Sequence, residues 1–187
     1  MRLILASRSP RRRELLTEAG YEFEVRPPAD AAECGLSPGE TPAAYVARLA
    51  REKAADVARH VETGIVLGCD TVAECDGRIL GKPDSQDHAR HMLELLSGRL
   101  HQVLTGVCLW PVPGGGPRVR VAATTLRMDR LRPDQLEEYL AGGQWQGKAG
   151  AFGYQDRLQW IHVLEGSPSN VVGLPLELLA EMLREFG

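Results

Sequence analysis

Four short segments of this chain carry side chains with catalytic or anion-binding potential. The first lies in the apolar stretch Ile65 to Val72, which holds Gly68-Cys69-Asp70-Thr71. Aspartate is disfavoured in a central strand, and a buried carboxylate needs a partner or a metal. Asp70 is therefore a candidate base on water or ligand for a divalent cation; a hydrogen-bonded structural aspartate is the plainer alternative. The second segment is Ser7-Arg8-Ser9-Pro10-Arg11-Arg12, where a strand gives way to a helix. A helix N-terminus presents unpaired N–H groups and the positive end of its dipole, so it favours anions. Arg11 and Arg12 add guanidinium forks suited to phosphate. Cations at that end oppose the dipole, so a purely structural role is slightly costly.

The third segment is Gly81-Lys82-Pro83. A two-residue turn at Asp76-Gly77 sets Lys82 opposite Thr71 and one step from Asp70; a surface lysine before a proline is the plain alternative. The fourth is Gly147-Lys148-Ala149-Gly150-Ala151-Phe152-Gly153-Tyr154-Gln155. Its glycines allow close backbone approach to a ligand. Gln155 carries a donor and an acceptor, which suits a pyrimidine edge. Read alone, the segment is equally a surface loop, and it lacks the Gly-Lys-Ser/Thr ending of a Walker A loop. Lys53 and Glu33, taken alone, are ordinary solvated charges. His88 and His91 share a helix face with no evident third ligand. His101 and His162 fall in strands and are expected to be satisfied locally, and Trp110, Trp145 and Trp160 to be core.

Patterning predicts the helices and strands that carry these residues. Arg2 to Ala6 reads as a buried strand, followed by a helix with Ser9 as N-cap, Pro10 at its first position and Gly20 as its stop; Leu15, Leu16 and Ala19 form its apolar stripe. Tyr21 to Val25 is a short strand, and an acidic loop with Asp30 and Glu33 follows. A longer helix begins at Thr41-Pro42, with Tyr45, Val46, Leu49, Ala50 and Val57 at helical spacing. Ile65 to Val72 turns through Asp76-Gly77 into Arg78 to Leu80. Asp84 or Ser85 caps a helix that Gly98 stops. Val103–Trp110 and Val119–Leu126 are strands, Pro133–Leu140 a helix, Leu158–Leu164 a strand, and Pro175 opens a final helix. Helices and strands mix without strict alternation, so the class is α/β or α+β with a mixed sheet.

The length of 187 residues suits one domain, with or without two lobes. Net charge of -3 argues against a nucleic-acid partner. No apolar run approaches the ~20 residues that span a bilayer, and the start lacks a signal-peptide core, so a cytoplasmic enzyme with no membrane partner is expected. Cys34, Cys69, Cys75 and Cys108 form no CxxC pair and read as reduced thiols.

Taken in order, LASRSPRR, LAREKA, GCDTV with GKP, GKAGAFGYQ and SNVVGLPL resemble the Maf family of nucleotide pyrophosphatases, the septum-formation-inhibitor-like proteins. The resemblance covers essentially the whole chain. It implies a single domain over 1–187, built on a mixed β-sheet flanked by helices, with two lobes around a central cleft. It implies hydrolysis of nucleoside triphosphates between the α and β phosphates with Mg²⁺ or Mn²⁺. By motif position, Asp70 would be the proton acceptor, and Ser7, Arg11, Arg12, Lys53 and Lys82 would line the phosphate site. Asp70 and Glu33 would be the metal carboxylates. Arg11, Thr71 and Gln155 match the subgroup acting on dTTP and UTP, with modified nucleotides as further targets. The 7-methyl-GTP subgroup instead has Trp after Ser-Pro and Gln after the Asp. The chain departs from the pattern at Asp30-Ala31-Ala32-Glu33, where many members carry a further carboxylate, and at Pro168, where the pyrimidine subgroup often has Tyr. The resemblance also suggests a homodimer. The alternative function is a non-enzymatic nucleotide-binding regulator of cell division.

Overall fold

The structure, a computed structural model, describes residues 2–29, 35–156 and 158–186. Glu33, Asp30 and Cys34 lie outside the described residues. The chain divides into two compact units: Met1–Asp70, Thr105–Ala122 and Gly173–Gly187 form the first, Thr71–Leu104 and Ala123–Val172 the second.

The first unit starts with β1 (Leu3–Ala6), α1 (Pro10–Glu18) and β2 (Phe23–Val25), then α2 (Pro42–Ala58) and the opening of β3 (Gly64–Cys75). β1 pairs in parallel with β2 and with β3, in register Leu3↔Ile65 and Ala6↔Gly68. Proline sits in the first turn of both helices, where its missing N–H costs nothing. Thr41 caps α2, its hydroxyl accepting from the Ala44 N–H at 3.2 Å. Ser9 stands at the N-cap of α1 without a side-chain bond to the helix. Arg12 is buried with Leu15 and Leu16, and Ala19 is exposed; the buried stripe of α1 therefore includes a cation in place of the expected alanine. The core joins Ile4, Ala6, Ala50, Ala54, Val57, Val66 and Cys108.

Two glycines set how closely α2 packs in this unit. A Cβ added at Gly68 would lie 2.2 Å from the Ala50 carbonyl, and one at Gly106 would lie 2.2 Å from that of Val46. Only glycine at these positions lets α2 lie this close to the strands.

The second unit contains the rest of β3, β4 (Arg78–Leu80), α3 (Gln86–Leu96), the start of β5 (Leu100–Val112) and the end of β6 (Arg118–Met128). It continues with α4 (Pro133–Ala141), β7 (Ile161–Glu165) and a short α5 (Pro168–Val172). Asp76, at φ 51°, and Gly77, at φ 78°, make the expected turn. β4 pairs antiparallel with β3 in register Ala73↔Leu80 and Cys75↔Arg78. Ser85 caps α3 by accepting from the His88 N–H at 3.1 Å. β7 pairs antiparallel with β6. The core of this unit holds Met92, Leu93, Leu96, Leu126, Met128, Leu140, Trp145 and Phe152. The sheet order β2-β1-β3-β5-β6-β7, with β4 beside β3, combines parallel and antiparallel neighbours. The final helix, α6 (Leu176–Arg184), belongs to the first unit, with Pro175 as its N-cap. The expected α/β class and mixed, helix-flanked sheet are what the chain adopts.

Candidate active site

In the first unit, the close seating of α2 determines the neighbours of Asp70. Side chains two apart on a strand share a face, so Asp70 points to the same side as Gly68, toward α2. There the Lys53 ammonium donates to Asp70 Oδ1 at 2.6 Å. Both groups are largely withdrawn from water, with side-chain exposures of 6% and 13%. A pair so buried is held by geometry, because loss of either partner strands the other charge. The spacing of seventeen residues and the isolated look of Lys53 gave no sign of it; only the glycine at position 68 could have suggested so close a helix.

The β1–α1 junction is equally specific. Ser7 is buried, and its Oγ accepts from the Ser9 N–H at 3.1 Å and from Arg12 Nη1 at 3.3 Å. Arg12 Nε donates to the Gly173 carbonyl at 2.7 Å. Arg12 thus ties the start of α1 to the segment before α6. Arg11, one residue earlier, is partly exposed. The first turn of α1 holds no acidic residue to offset its positive end. Cys69 lies within reach of these charges. Burial pushes its thiol up to about 11, while Arg12 and Lys53 pull it down and Asp70 raises it. It stays protonated and unreactive.

In the second unit, β4 ends at Leu80, so the ladder stops short of a Thr71–Lys82 pair. The Gly81 carbonyl turns away to accept from the Gly150 N–H at 3.0 Å, which joins the Gly81-Lys82 segment to the glycine-rich one. Lys82 is exposed and Thr71 partly exposed. Gln155 is exposed in a single 3₁₀ turn, Tyr154–Asp156. Residues overlooked in the sequence flank it. Lys148 Nζ meets Asp156 at 2.5 Å, and the Tyr139 hydroxyl donates to Asp156 Oδ2 at 3.2 Å. Burial, then the Asp156 charge, keeps Tyr139 protonated by raising its pKa. The signal for this cluster was the lysine inside the GKAGAFGYQ motif, which periodicity alone does not weight.

The remaining candidates resolve simply. His88 bonds Asp84 and His91 the Asp87 carbonyl, and His162 bonds Asp129. His101 differs from expectation: it is buried, neither ring nitrogen has a hydrogen-bond partner among the described residues, and it sits edge-on to Phe152. Trp145 is core, with its indole N–H on the Leu140 carbonyl. Among the described residues, no group of three or more His, Cys, Asp or Glu side chains could hold a metal ion. No helix among them is long and apolar enough to cross a membrane.

The family model for Maf-like protein matches residues 2–186. This chain belongs to the Maf-like family. Its Maf-like relatives include a dTTP/UTP pyrophosphatase of Rhodopirellula baltica, 56% identical over 98% of this chain and 82% of the relative. Another dTTP/UTP pyrophosphatase, from an Anaeromyxobacter species, is 48% identical over 100% of this chain and 90% of the relative. The Moorella thermoacetica protein of that name is 46% identical, over 100% and 95%. Among solved structures, a HAM1 protein from Coxiella burnetii matches with TM-score 0.56 at 18% identity, covering 99% of both chains. The Staphylococcus aureus Ham1 protein matches with TM-score 0.57 at 12%, covering 100% of both. At those identities the Maf-like chain shares with them a fold.

Proposed function

We infer that this protein hydrolyses dTTP and UTP to the monophosphate and pyrophosphate. The observation that carries the reading is full-length identity of 46–56% to proteins of that activity, joined to a buried Lys–Asp pair on a helix and a strand. The regulator alternative is not favoured by relatives that are all named as enzymes.

The roles follow from chemistry. Hydrolysis between the α and β phosphates adds water, breaks one P–O bond and releases pyrophosphate. Asp70 takes the proton of the attacking water, and Lys53 orients it through the 2.6 Å bond. Ser7, Arg11 and Arg12, at an α1 start free of acidic residues, bind phosphate oxygens, as does Lys82. Thr71 and Gln155 face the base. Asp70 gives one carboxylate oxygen to Lys53 and has a second, which fits the sparse mode in which Mg²⁺ takes one or two carboxylates with phosphates and waters. Glu33 is the second carboxylate of this reading. A bound Mg²⁺ or Mn²⁺ supplies charge neutralisation on the triphosphate and a more acidic water. The single family match over 2–186 supports reading the two units as one domain. A homodimer, a cytoplasmic setting, modified nucleotides as further substrates and the absence of a nucleic-acid partner complete the proposal.

The test is product analysis. UTP with Mg²⁺ should yield UMP and pyrophosphate in equal amounts on ion-exchange chromatography; UDP and orthophosphate would refute the reading.

A further inference from the structure

The glycine-rich segment poses a physical problem. It must hold Gln155 still enough to discriminate bases, yet Gly147, Gly150 and Gly153 make it costly to order. Its first half has a clear solution: Gly150, Ala151 and Phe152 are buried, and the Gly150 N–H is bonded to the Gly81 carbonyl. Its second half, Tyr154–Asp156, is a single 3₁₀ turn with Tyr154 and Gln155 exposed. Such a turn has little stability of its own.

We propose that the buried Lys148–Asp156 pair, with Tyr139 bonded to it, is the brace that positions Gln155 and so sets selectivity for the pyrimidine base. The inference rests on the base-facing role proposed for Gln155. Three observations carry it. Lys148, ahead of the buried half, reaches Asp156, the last residue of the turn, and their side chains are only 12% and 13% exposed, unlike the solvated pairs elsewhere. The pair lies across the face of Gly153: a Cβ there would be 2.8 Å from Lys148 Nζ and 2.9 Å from Asp156 Oδ2. The pair thus closes over the bare face of Gly153. Finally, Tyr139 comes from α4, a regular helix, and its ring packs edge-on to Trp160. Its hydroxyl anchors Asp156, the residue directly after Gln155, to a rigid element. Lys148, Asp156 and Tyr139 are positioning residues; none is assigned to touch substrate.

A double-mutant cycle tests this. The UTP-to-GTP ratio of kcat/KM is measured for wild type, Asp156→Asn, Gln155→Ala and the double variant, with thermal melts alongside. Asp156→Asn should lower the ratio about tenfold or more, in line with the cost of misplacing a recognition group by about 1 Å. Gln155→Ala should then cost little further in the Asp156→Asn background. Lys148→Arg should keep most of the ratio, since it preserves the charge. If Asp156→Asn does not fold, Tyr139→Phe replaces it, with a shift of about two- to threefold expected from losing one hydrogen bond. A ratio held within the error of wild type in the folded variant, or a Gln155→Ala effect undiminished in its background, overturns the brace while leaving base selection by Gln155 intact. A wild type that does not prefer UTP overturns both.

Discussion

Among the described residues, two buried Lys–Asp pairs are built by opposite means. Lys53–Asp70 joins the middle of a seventeen-residue helix to the middle of a twelve-residue strand. Lys148–Asp156 closes a glycine-rich segment on itself. The first derives its rigidity from regular backbone brought together by Gly68. The second must supply rigidity to a backbone that has little. Groups on helices and strands are held more tightly than groups on loops. This suits the first pair to bond breaking, where misplacement is costly, and the second to supporting recognition of a base.

Removing the carboxylate should give the largest effect. Asp70→Asn keeps shape but can neither accept a proton nor hold metal as an anion. Turnover of every nucleotide should fall by ~10²–10⁴-fold, with circular dichroism unchanged at the assay temperature and a melting temperature lowered by the stranded Lys53 charge; UTP turnover within a few-fold of wild type would remove Asp70 from the chemistry. Next comes Gly68→Ala. Its added methyl meets the Ala50 carbonyl, and such overpacking costs about 1–3 kcal/mol. Pushing α2 off β3 should lower kcat by up to about 10²-fold through the Lys53–Asp70 geometry, read by steady-state kinetics beside a lowered melting temperature.

That pairing was the least legible feature of the sequence, and the reason is physical. Local signals are strong where chemistry is local. The helix start at Thr41-Pro42, a cap at Asp84 or Ser85 and the hairpin turn at Asp76-Gly77 were legible, because each acts on backbone within three or four residues. Asp70 stood out because it interrupts an apolar strand. Its partner did not, since the contact depends on a helix-to-strand distance set by the missing Cβ of Gly68. The five-residue α5 starts at a proline in a polar stretch and has no periodicity to detect. β7 begins at Ile161, three residues later than the apolar pattern starting at Leu158 suggested. The Lys148–Asp156 pair left no local signal because its burial is tertiary.

Acid should separate the two regions. In the first, Arg48 bonds Glu40 and holds its carboxyl down at about 2. That contribution is present above the usual carboxylate range and fades only as pH falls toward 2. In the second, burial holds His101 down at about 4, below its ordinary value near 6.5. The unfolded chain then takes up a proton that the native protein refuses, so stability falls as pH drops from about 6.5 to 4. The loss is on the order of 3 kcal/mol at one pKa unit per 1.36 kcal/mol. Urea melts should show it in wild type, and His101→Phe, which keeps the ring against Phe152, should flatten that window. An unchanged slope in the variant would assign the acid sensitivity elsewhere.

The chemistry proposed at Asp70 and Lys53 and the base selection proposed at Gln155 should be separable by mutation. The UTP-to-GTP ratio of kcat/KM, measured across wild type, Gly68→Ala and Gln155→Ala, tests this division most directly. The ratio should stay at the wild-type value in Gly68→Ala while kcat falls for both nucleotides. It should collapse toward unity in Gln155→Ala, where the donor and acceptor that match the imide edge are gone. A ratio that shifts with Gly68→Ala and holds with Gln155→Ala would contradict the division.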